Sequence, residues 1–168
     1  MEVRAEKPED IEAVRRVNVA AFGRESEAKL VDQLRRAAST VSFVAVESEQ
    51  IVGHVFFSPV VIEGTGAGNL LVLGLAPVAV LPDYQRQGIG TLLIQHGLEE
   101  CARLGCKAIV VLGHPEYYPR FGFTPAKEKG LGCEFTVSDE AFMVLELETG
   151  ALEGCVGTVK YRSEFNHL

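Results

Sequence analysis

The spacing of hydrophobic residues predicts two amphipathic helices near the start of the chain. The first apolar stripe recurs every three or four residues over 8–22, and Gly23 then predicts the end of that helix. The second stripe lies within 28–38, and Ser26 is placed to cap its first turn. Each helix therefore has one apolar face that a sheet or another helix is expected to cover.

Apolar runs bounded by glycine, proline and polar turn residues predict the strands. The expected ranges are Val3–Ala5, Ser42–Glu47, Ile51–Ser58, Leu70–Val80, Lys107–Leu112, Phe121–Thr124 and Ala141–Leu147. The fifth of these is apolar after its first residue, as in a strand buried within a parallel sheet. The segment Val156–Phe165 is expected to add an edge strand or to dock across a partner, and Gly64–Asn69 to form a flexible loop.

A strand–turn–helix unit occupies the middle of the chain, from Gly74 to Leu104. Its strand ends at the turn Pro82–Tyr84, and its helix opens with Gln-Arg-Gln-Gly-Ile-Gly-Thr at 85–91. Such a junction presents unpaired backbone N–H groups and the positive end of a helix dipole, which together attract an anion. Gly88 and Gly90 lack Cβ atoms, so a phosphate can approach the main chain closely there.

Two familiar nucleotide-binding motifs do not fit this junction. A P-loop requires the tripeptide Gly-Lys-Ser/Thr, which the chain does not contain. The dinucleotide fingerprint requires a third glycine at the position of Leu93. A nucleotide-dependent enzyme is therefore disfavoured, and a plain tight turn between strand and helix stays open as the alternative to an anion site.

Composition narrows the class of protein. The elements indicate an α/β fold with a mixed sheet, and 168 residues with 47% hydrophobic content suit a single domain over 1–168. A net charge of −7 argues against nucleic acid and anionic membranes as partners. Four cysteines without a Cys-x-x-Cys pair indicate no metal site. No run approaches the roughly 18–20 apolar residues of a membrane span, and the polar start is unlike a secretory leader, so we expect a cytoplasmic protein.

Two motifs carry a resemblance to a known family. The pattern Gln-x-x-Gly-x-Gly, with Val78-Ala79-Val80 ahead of Gln85, resembles the pyrophosphate loop of the GNAT superfamily of N-acetyltransferases. The stretch 114–123 resembles the Tyr-x-x-x-Gly-Phe segment of that family, with Tyr118 as its tyrosine. Further stretches are similar to the YhbS-like branch of bacterial acetyltransferases over nearly the whole chain: Glu27–Val31, Phe57–Pro59, Leu75–Val80 and the tail from Tyr161 to Phe165.

The resemblance implies a GNAT-like mixed central sheet, flanked by helices, with a splayed pair of parallel strands that holds acetyl-CoA. Pro77, which has no N–H group, lies where the strands are expected to part. Val78 N–H would polarise the thioester carbonyl and Val80 would hold the pantetheine arm. The implied cofactor-binding residues are Val78, Ala79, Val80, Gln85, Arg86, Gln87, Gly88, Ile89, Gly90, Thr91 and Tyr118. For Arg86, a side-chain contact and a backbone contact stay open.

The same resemblance assigns catalytic roles. Tyr118 matches the tyrosine that protonates the departing coenzyme thiolate, and aromatic packing is its alternative role. Glu27 is the candidate for the general base, although compensation of the helix dipole at the start of the second helix is its plainer role. Glu25, Glu116 and His114 are other candidates for the base. The branch usually has Gly-Asp-Pro where this chain has Gly-His-Pro at 113–115, so no role is carried over to His114.

The sequence thus indicates an acetyl-CoA-dependent N-acetyltransferase in which an amine attacks the thioester directly within a ternary complex. The acceptor would be a small-molecule or peptide amine, and nothing in the chain identifies it. A homodimer stays open. The competing interpretation is a catalytically weak or inactive module that binds or senses acyl-CoA on the same fold.

Overall fold

The computed structural model describes residues 1–167, and this part of the chain contains nine β-strands and three α-helices. The strands are β1 Glu2–Ala5, β2 Val41–Glu47, β3 Gln50–Thr65, β4 Val72–Val80, β5 Ala108–Leu112, β6 Thr124–Pro125, β7 Leu131–Cys133, β8 Phe142–Glu146 and β9 Val156–Lys160. The helices are α1 Ile11–Phe22, α2 Ser26–Leu34 and α3 Ile89–Arg103. Short 3-10 helices occupy Pro8–Asp10, Pro82–Tyr84, Tyr118–Phe121, Ala126–Lys129 and Ser163–His167.

The chain forms two compact units, neither of which is continuous in sequence. The first unit comprises Met1–Ser58, Ala76–Glu100 and the C-terminal segment from Ser163. The second comprises Pro59–Leu75 and Cys101–Arg162. Strands β3 and β4 and helix α3 each begin in one unit and end in the other. A single domain over the whole chain stays a prediction.

In the first unit, β1, β2 and the first half of β3 form an antiparallel sheet. β1 pairs with β2 from Glu2↔Val46 to Ala5↔Phe43, and β2 pairs with β3 in a hairpin. Ser48 and Glu49 close that hairpin with positive φ angles of 49° and 65°, as a tight turn between twisted strands requires. The predicted hairpin is thus present, and β3 continues beyond its predicted end.

The two N-terminal helices follow the predicted stripes, with two differences. α1 ends at Phe22, and Gly23 adopts the left-handed conformation, with φ of 69°. α2 begins at Ser26, but Glu25 occupies the capping position, so the prediction that Ser26 caps the helix is wrong. α2 also ends at Leu34 rather than within 35–38, because the next turn tightens to hydrogen bonds between residues three apart, such as Ala37 N–H to the Leu34 carbonyl.

Helix α3 packs closely on β3 within the first unit. A Cβ added at Gly53 would lie 2.9 Å from Cδ1 of Leu93, and one added at Gly97 would overlap the ring of Phe57. Both glycines therefore let the backbone of one element approach a side chain of the other. This contact fixes the helix that follows the predicted anion site against the sheet.

In the second unit, β4 and β5 are parallel, as predicted, with the pairs Val72↔Ala108, Leu73↔Ile109 and Gly74↔Val110. β8 pairs antiparallel with both β5 and β6. The two strand directions make the sheet mixed, and the predicted α/β class is confirmed.

Strand β9 corrects two sequence-based expectations. It lies between β3 and β7, antiparallel to the former and parallel to the latter, and is not an edge strand. Its partner exists because β3 runs on to Thr65, through part of the segment 64–69 that was expected to be a flexible loop. Gly64 faces Gly157 there, where a Cβ added at Gly64 would overlap the Val156 carbonyl.

Other sequence expectations concern the cysteines, metals and membranes. All four cysteines lie in the described part of the chain and outside any disulfide bond, and Cys101 is buried. Within residues 1–167, no group of three or more His, Cys, Asp or Glu side chains is arranged to hold a metal ion. Over the same residues, every helix is too short or too polar to span a bilayer.

Candidate functional site

The end of β4 has one edge turned away from β3. In the described chain, the pairing of β4 with β5 ends at Gly74 and Val110, although β4 itself continues to Val80. Leu81, the next residue, donates its N–H to the Val52 carbonyl of β3 at 2.8 Å. Because successive N–H groups of an extended strand point to alternate edges, those of Val80 and Val78 point away from β3. The family resemblance assigns Val78 to the thioester carbonyl and Val80 to the pantetheine arm.

Side chains along this part of β4 also alternate. Val78 and Val80 are half-buried, whereas Ala79 between them is 2% exposed. Ala79 thus points into the core of the first unit, and its two neighbours are partly exposed on the opposite face of the strand. The local pattern is that of a strand with one face and one edge available to a ligand.

The turn after β4 is held by its own hydrogen bonds. Tyr84 N–H donates to the Leu81 carbonyl at 2.8 Å, and the side-chain amide of Gln85 donates to the Val80 carbonyl at 3.0 Å. The Gln87 side chain donates to the Asp83 carbonyl at 3.4 Å. Gln85 and Gln87 therefore fix the loop from within, which explains amide side chains at these positions.

Left-handed backbone angles shape the loop itself. Arg86 has φ of 65° and Gly88 has φ of 84°. A positive φ is uncommon for arginine and marks a backbone that its surroundings hold in place. Turns of this kind bring successive N–H groups together into a concave anion site.

Helix α3 supplies the rest of the anion site. Leu92 N–H donates to the Gly88 carbonyl at 3.1 Å. As in any α-helix, the N–H groups of the first turn cannot pair with carbonyls four residues earlier in the same helix. The first turn of α3 contains no acidic residue that would compete for this positive end. A Cβ added at Gly88 would meet no atom within 4 Å, so the space beside it is open. The loop is thus built to receive an anion through main-chain atoms.

Tyr118 lies in the second unit, at the start of the 3-10 helix Tyr118–Phe121. Its ring is half-buried and contacts Tyr117 and Phe123 edge to face, with centroids 5.1 Å and 5.7 Å apart. Burial, with a smaller contribution from Tyr117, raises the pKa of Tyr118 to about 12. The phenol therefore stays protonated at neutral pH and can donate a hydrogen bond.

Glu27 lies in the first turn of α2 and is 5% exposed. Nε of Arg24 donates to Oε1 of Glu27 at 2.9 Å, and a second guanidinium nitrogen donates to Oε2. The hydrogen bonds from Arg24 lower the pKa of Glu27, against the opposing effect of burial. A carboxylate stabilised in this way is a weaker proton acceptor than an ordinary glutamate.

The other candidates for the base lie at the surface. Glu25 pairs with Lys29 at 3.5 Å, and both side chains are largely exposed. His114 and Glu116 are also exposed and lie 3.9 Å from each other. No buried contact orients these three candidates in the described chain, in contrast to Glu27.

A buried polar network in the first unit had no counterpart in the sequence analysis. His54, which is 0% exposed, contacts the Asn18 side chain at 3.2 Å through Nδ1 and the Ser42 hydroxyl at 2.9 Å through Nε2. Ser42 in turn donates to Glu6, which also accepts a hydrogen bond from Arg35. In the sequence, these residues are seen only as single polar positions within apolar segments. Whether such residues hydrogen-bond to one another depends on how the segments pack.

Burial sets the protonation of this network. It lowers the pKa of His54 to about 3, with a smaller contribution from the positive charge of Arg35. The imidazole is therefore neutral and can accept from Asn18 while donating to Ser42. The network joins Asn18 of α1 to His54 of β3 and Ser42 of β2 within the first unit.

The candidate site residues fall in both units. The strand residues 78–80, the loop 85–91 and Glu27 lie in the first unit, and Tyr118 lies in the second. The strand edge and the helix start together define a class: an α/β protein whose main chain suits an extended, phosphorylated ligand.

Comparisons with known proteins agree with that class. The model of the acetyltransferase (GNAT) domain family matches residues 2–126. The chain is 38% identical to the uncharacterized N-acetyltransferase YhbS of Escherichia coli strain K12, over 100% of both chains. The crystal structure of Escherichia coli YhbS with CoA matches at a TM-score of 0.90 and 36% identity, over 98% of this chain and 91% of that one.

A second solved structure is similar over the same extent. It is a GNAT family acetyltransferase from Brucella melitensis in complex with acetyl-CoA, with a TM-score of 0.79 and 35% identity, over 98% of this chain and 97% of that one. The chain therefore belongs to the GNAT family of acetyltransferases. The predicted family and the predicted fold class are both confirmed.

Proposed function

We propose that this protein transfers an acetyl group from acetyl-CoA to a primary amine, by direct attack within a ternary complex. The observation that carries the proposal is the orientation of β4. Its Val78 and Val80 N–H groups point away from β3, and the strand leads into the loop at 85–91. Its relatives from Escherichia coli and Brucella melitensis were crystallised with CoA and acetyl-CoA. Acetyl-CoA combines the two groups that this backbone suits, an extended amide-bearing arm and a pyrophosphate.

The coenzyme would bind mainly through the main chain. The pantetheine amides would hydrogen-bond to the edge of β4 as an additional strand does, with Val80 as one partner. The pyrophosphate would accept N–H groups from the loop and the first turn of α3, at Arg86, Gln87, Gly88, Ile89, Gly90 and Thr91. The left-handed φ angle of Arg86 supports a backbone contact there, and the Arg86 side chain is exposed. No metal is needed in this scheme.

The reaction would proceed by addition and elimination at the thioester carbonyl. The neutral amine attacks the carbonyl carbon, and the electron pair of the C=O bond moves to oxygen. Val78 N–H would stabilise the negative charge on that oxygen, and one such donor contributes about 3–4 kcal/mol. The oxyanion then re-forms the C=O bond as the C–S bond breaks, and the electron pair of the C–S bond leaves with the coenzyme sulfur. The nitrogen gives up its extra proton to a base or to water.

Tyr118 would supply the proton that the departing sulfur takes up. Its high pKa, about 12, keeps the hydroxyl protonated throughout the physiological range. A neutral phenol can hydrogen-bond to the sulfur as negative charge builds up on it. The aromatic neighbours of Tyr118 favour one ring position and so support a fixed donor.

Two roles for Glu27 are consistent with its position. As the general base, it would take a proton from the ammonium form of the acceptor. As the partner of Arg24, it would fix the turn between α1 and α2. The lowered pKa and the bidentate contact support the second role, and a substitution that separates the two roles is described below.

The acceptor is proposed only as a class, a small-molecule or peptide amine. A net charge of −7 suits an acceptor that arrives as a cation. The same charge disfavours nucleic acid and anionic membranes as partners. We place the protein in the bacterial cytoplasm, where acetyl-CoA is made and thiols stay reduced, and we leave its oligomeric state to measurement.

The alternative is a module that binds or senses acyl-CoA without turnover. The two functions are separated by following CoA release with a thiol reagent while a panel of amines is supplied: polyamines, aminoglycosides, amino acids and peptide N-termini. We expect amine-dependent release of CoA above the rate of hydrolysis, with a matching acetylated product in the mass spectrum. Tight coenzyme binding without product from any amine would favour the sensing module.

A further inference from the structure

Gly113 follows β5 directly and lies against the ring of Tyr118 in the second unit. A Cβ added at Gly113 would overlap Cε2 of that ring and would lie 2.9 Å from Cδ2 and 3.2 Å from Cζ. Real Cβ atoms do not approach a ring so closely, so one of the two residues would have to move. The crowded part of the ring is its Cδ2–Cε2 edge, and Cε2 is bonded to Cζ, which carries the hydroxyl.

The backbone of Gly113 does not itself require glycine. Its φ is not among the positive values in the described chain, so an alanine there meets no backbone penalty. Its N–H donates to the Ala141 carbonyl at 3.0 Å, which ties it to the residue preceding β8. The nearest obstacle to a side chain at Gly113 is therefore the ring of Tyr118.

Aromatic residues also contact other sides of the half-buried ring. Tyr117 and Phe123 lie edge to face with it, and the centroid of Phe121 is 6.3 Å away. Tyr117 is held in turn by Arg120, whose guanidinium lies 4.1 Å from the Tyr117 centroid and whose Nε donates to the Tyr117 carbonyl at 2.8 Å. These neighbours limit the directions in which the ring can move away from a new methyl group.

We propose that Gly113 is a positioning residue for acetyl transfer. Because it has no side chain, the ring of Tyr118 can lie where its hydroxyl donates the proton. This inference rests on the proposed acid role of Tyr118. A methyl group at Gly113 displaces the ring by about the overlap that it creates, and misplacement of a catalytic group by about 1 Å costs on the order of 100-fold in rate. Gly113 acts only through Tyr118, and this dependence can be measured.

The test is a double-mutant cycle of Gly113→Ala and Tyr118→Phe. We expect Gly113→Ala to lower kcat by about 10- to 100-fold while KM for acetyl-CoA stays within about twofold. In the Tyr118→Phe background, the same alanine should lower kcat no further, because the hydroxyl that it displaces is already gone. A merely structural role for Gly113 would give the same loss in both backgrounds and would overturn the inference.

Gly97→Ala is the matched control. Its added methyl group would overlap the ring of Phe57 in the first unit, and Cζ of Phe57 would lie 2.6 Å away. We expect both Gly97→Ala and Gly113→Ala to lower the melting temperature. Any loss of kcat caused by Gly97→Ala should be the same with and without the Tyr118 hydroxyl. If Gly97→Ala lowered kcat only while the Tyr118 hydroxyl is present, the cycle would report a general loss of packing in the protein. That result would overturn the inference.

A second variant keeps the proposal testable if Gly113→Ala does not fold. Phe121→Leu removes one neighbour of the Tyr118 ring without adding volume, so the ring loses part of its support. We expect a kcat loss of about three- to tenfold that disappears in the Tyr118→Phe background. Equal losses in both backgrounds overturn the positioning of Tyr118 by its neighbours. An unchanged kcat for Tyr118→Phe alone refutes the acid role and, with it, the role of Gly113.

Discussion

Arg24 and Glu27 are joined by two hydrogen bonds across three residues, with the carboxylate buried and the guanidinium more than half exposed. The pair sits at the start of α2, where a negative charge also interacts favourably with the helix dipole. Both contacts stabilise the charged form of Glu27 and lower its pKa. The geometry therefore describes a carboxylate that holds an arginine in place more readily than one that takes up a proton.

A Glu27→Gln variant separates these two roles. We expect kcat to stay within about threefold of the parent, and the free energy of unfolding to fall by about 1 kcal/mol as a partly exposed charged hydrogen bond is weakened. Steady-state kinetics and urea denaturation check the two outcomes. A fall of kcat by 100-fold or more in a stably folded Glu27→Gln protein would restore Glu27 as the general base.

Replacement of Tyr118 by phenylalanine removes one oxygen atom and keeps the ring. Coenzyme affinity should be unchanged, since we propose that Val78, Val80 and the loop bind it through their main chain. Turnover should fall by about 10²–10⁴-fold, the usual effect of a positioned proton donor. Calorimetry with CoA and single-turnover kinetics distinguish the two steps. Preserved turnover with a stability loss of about 1 kcal/mol would identify Tyr118 as a packing residue.

The pKa of Tyr118 also predicts the alkaline side of the pH profile. A group with a pKa of about 12 stays protonated as the pH rises, so kcat should not fall between about pH 8 and pH 10. The acid would be lost only as the pH passes through the raised value. The profile of kcat against pH, measured with saturating substrates, checks this expectation. A decline with an apparent pKa near 8 or 9 would point to a different acid.

The loop before α3 should select acetyl-CoA. We expect acetyl-CoA to raise the melting temperature while ATP and NAD leave it unchanged, because only a ligand that the native state binds stabilises it. Gly90→Val should reduce this shift, since its side chain would enter the space of the pyrophosphate. Ala102→Val, at an exposed position of α3, controls for the cost of a β-branched residue in the helix. Equal shifts for both variants would remove the loop from the coenzyme site.

His54 predicts a loss of stability in acid. Its pKa of about 3 in the folded protein lies below the ordinary 6.5, so the unfolded chain binds more protons between these values. Stability should therefore fall as the pH drops from about 6.5, by up to about 1.4 kcal/mol per pH unit from this residue.

The slope is measured by urea denaturation from about pH 7 to pH 4. His54→Gln should be less stable at neutral pH but should lose stability less steeply in acid. His96→Gln, which changes an exposed histidine of α3, should keep the parent slope. An unchanged slope in His54→Gln would mean that carboxylates with lowered pKa values, such as Asp10, cause the acid sensitivity.

Local parts of the fold could be predicted from the sequence because their causes are local. Gly23 ends α1 because a left-handed residue is needed there, and Pro82 opens the turn that leads to α3. Parallel pairing of β4 with β5 followed from the helix between two apolar runs. The motif at 85–91 identified the family before any contact was known. The pair formed by Arg24 and Glu27 spans only three residues, so it too was within reach of the sequence.

Other features depended on which distant residues meet. Asn18 and His54 are 36 residues apart, and their contact depends on the packing of α1 over β3. The direction of the Val78 and Val80 N–H groups depends on how β4 lies beside β3, which the hydrogen bond from Leu81 to Val52 reveals. β9 is an internal strand because β3 continues past Ser58 to Thr65 and pairs with it. The sequence pattern did not predict this extension of β3.

By itself, the sequence determined the family, the fold class and the loop that is built for an anion, because these follow from short patterns of glycine, proline and apolar spacing. Only the tertiary structure decided which edge of β4 its N–H groups face, which groups lower the pKa of Glu27 and His54, and why Gly113 has no side chain. Each of these depends on register and close approach between segments that are distant in the chain. Residue types alone carry little information about such contacts, since many partners of similar size and polarity would satisfy the same pattern.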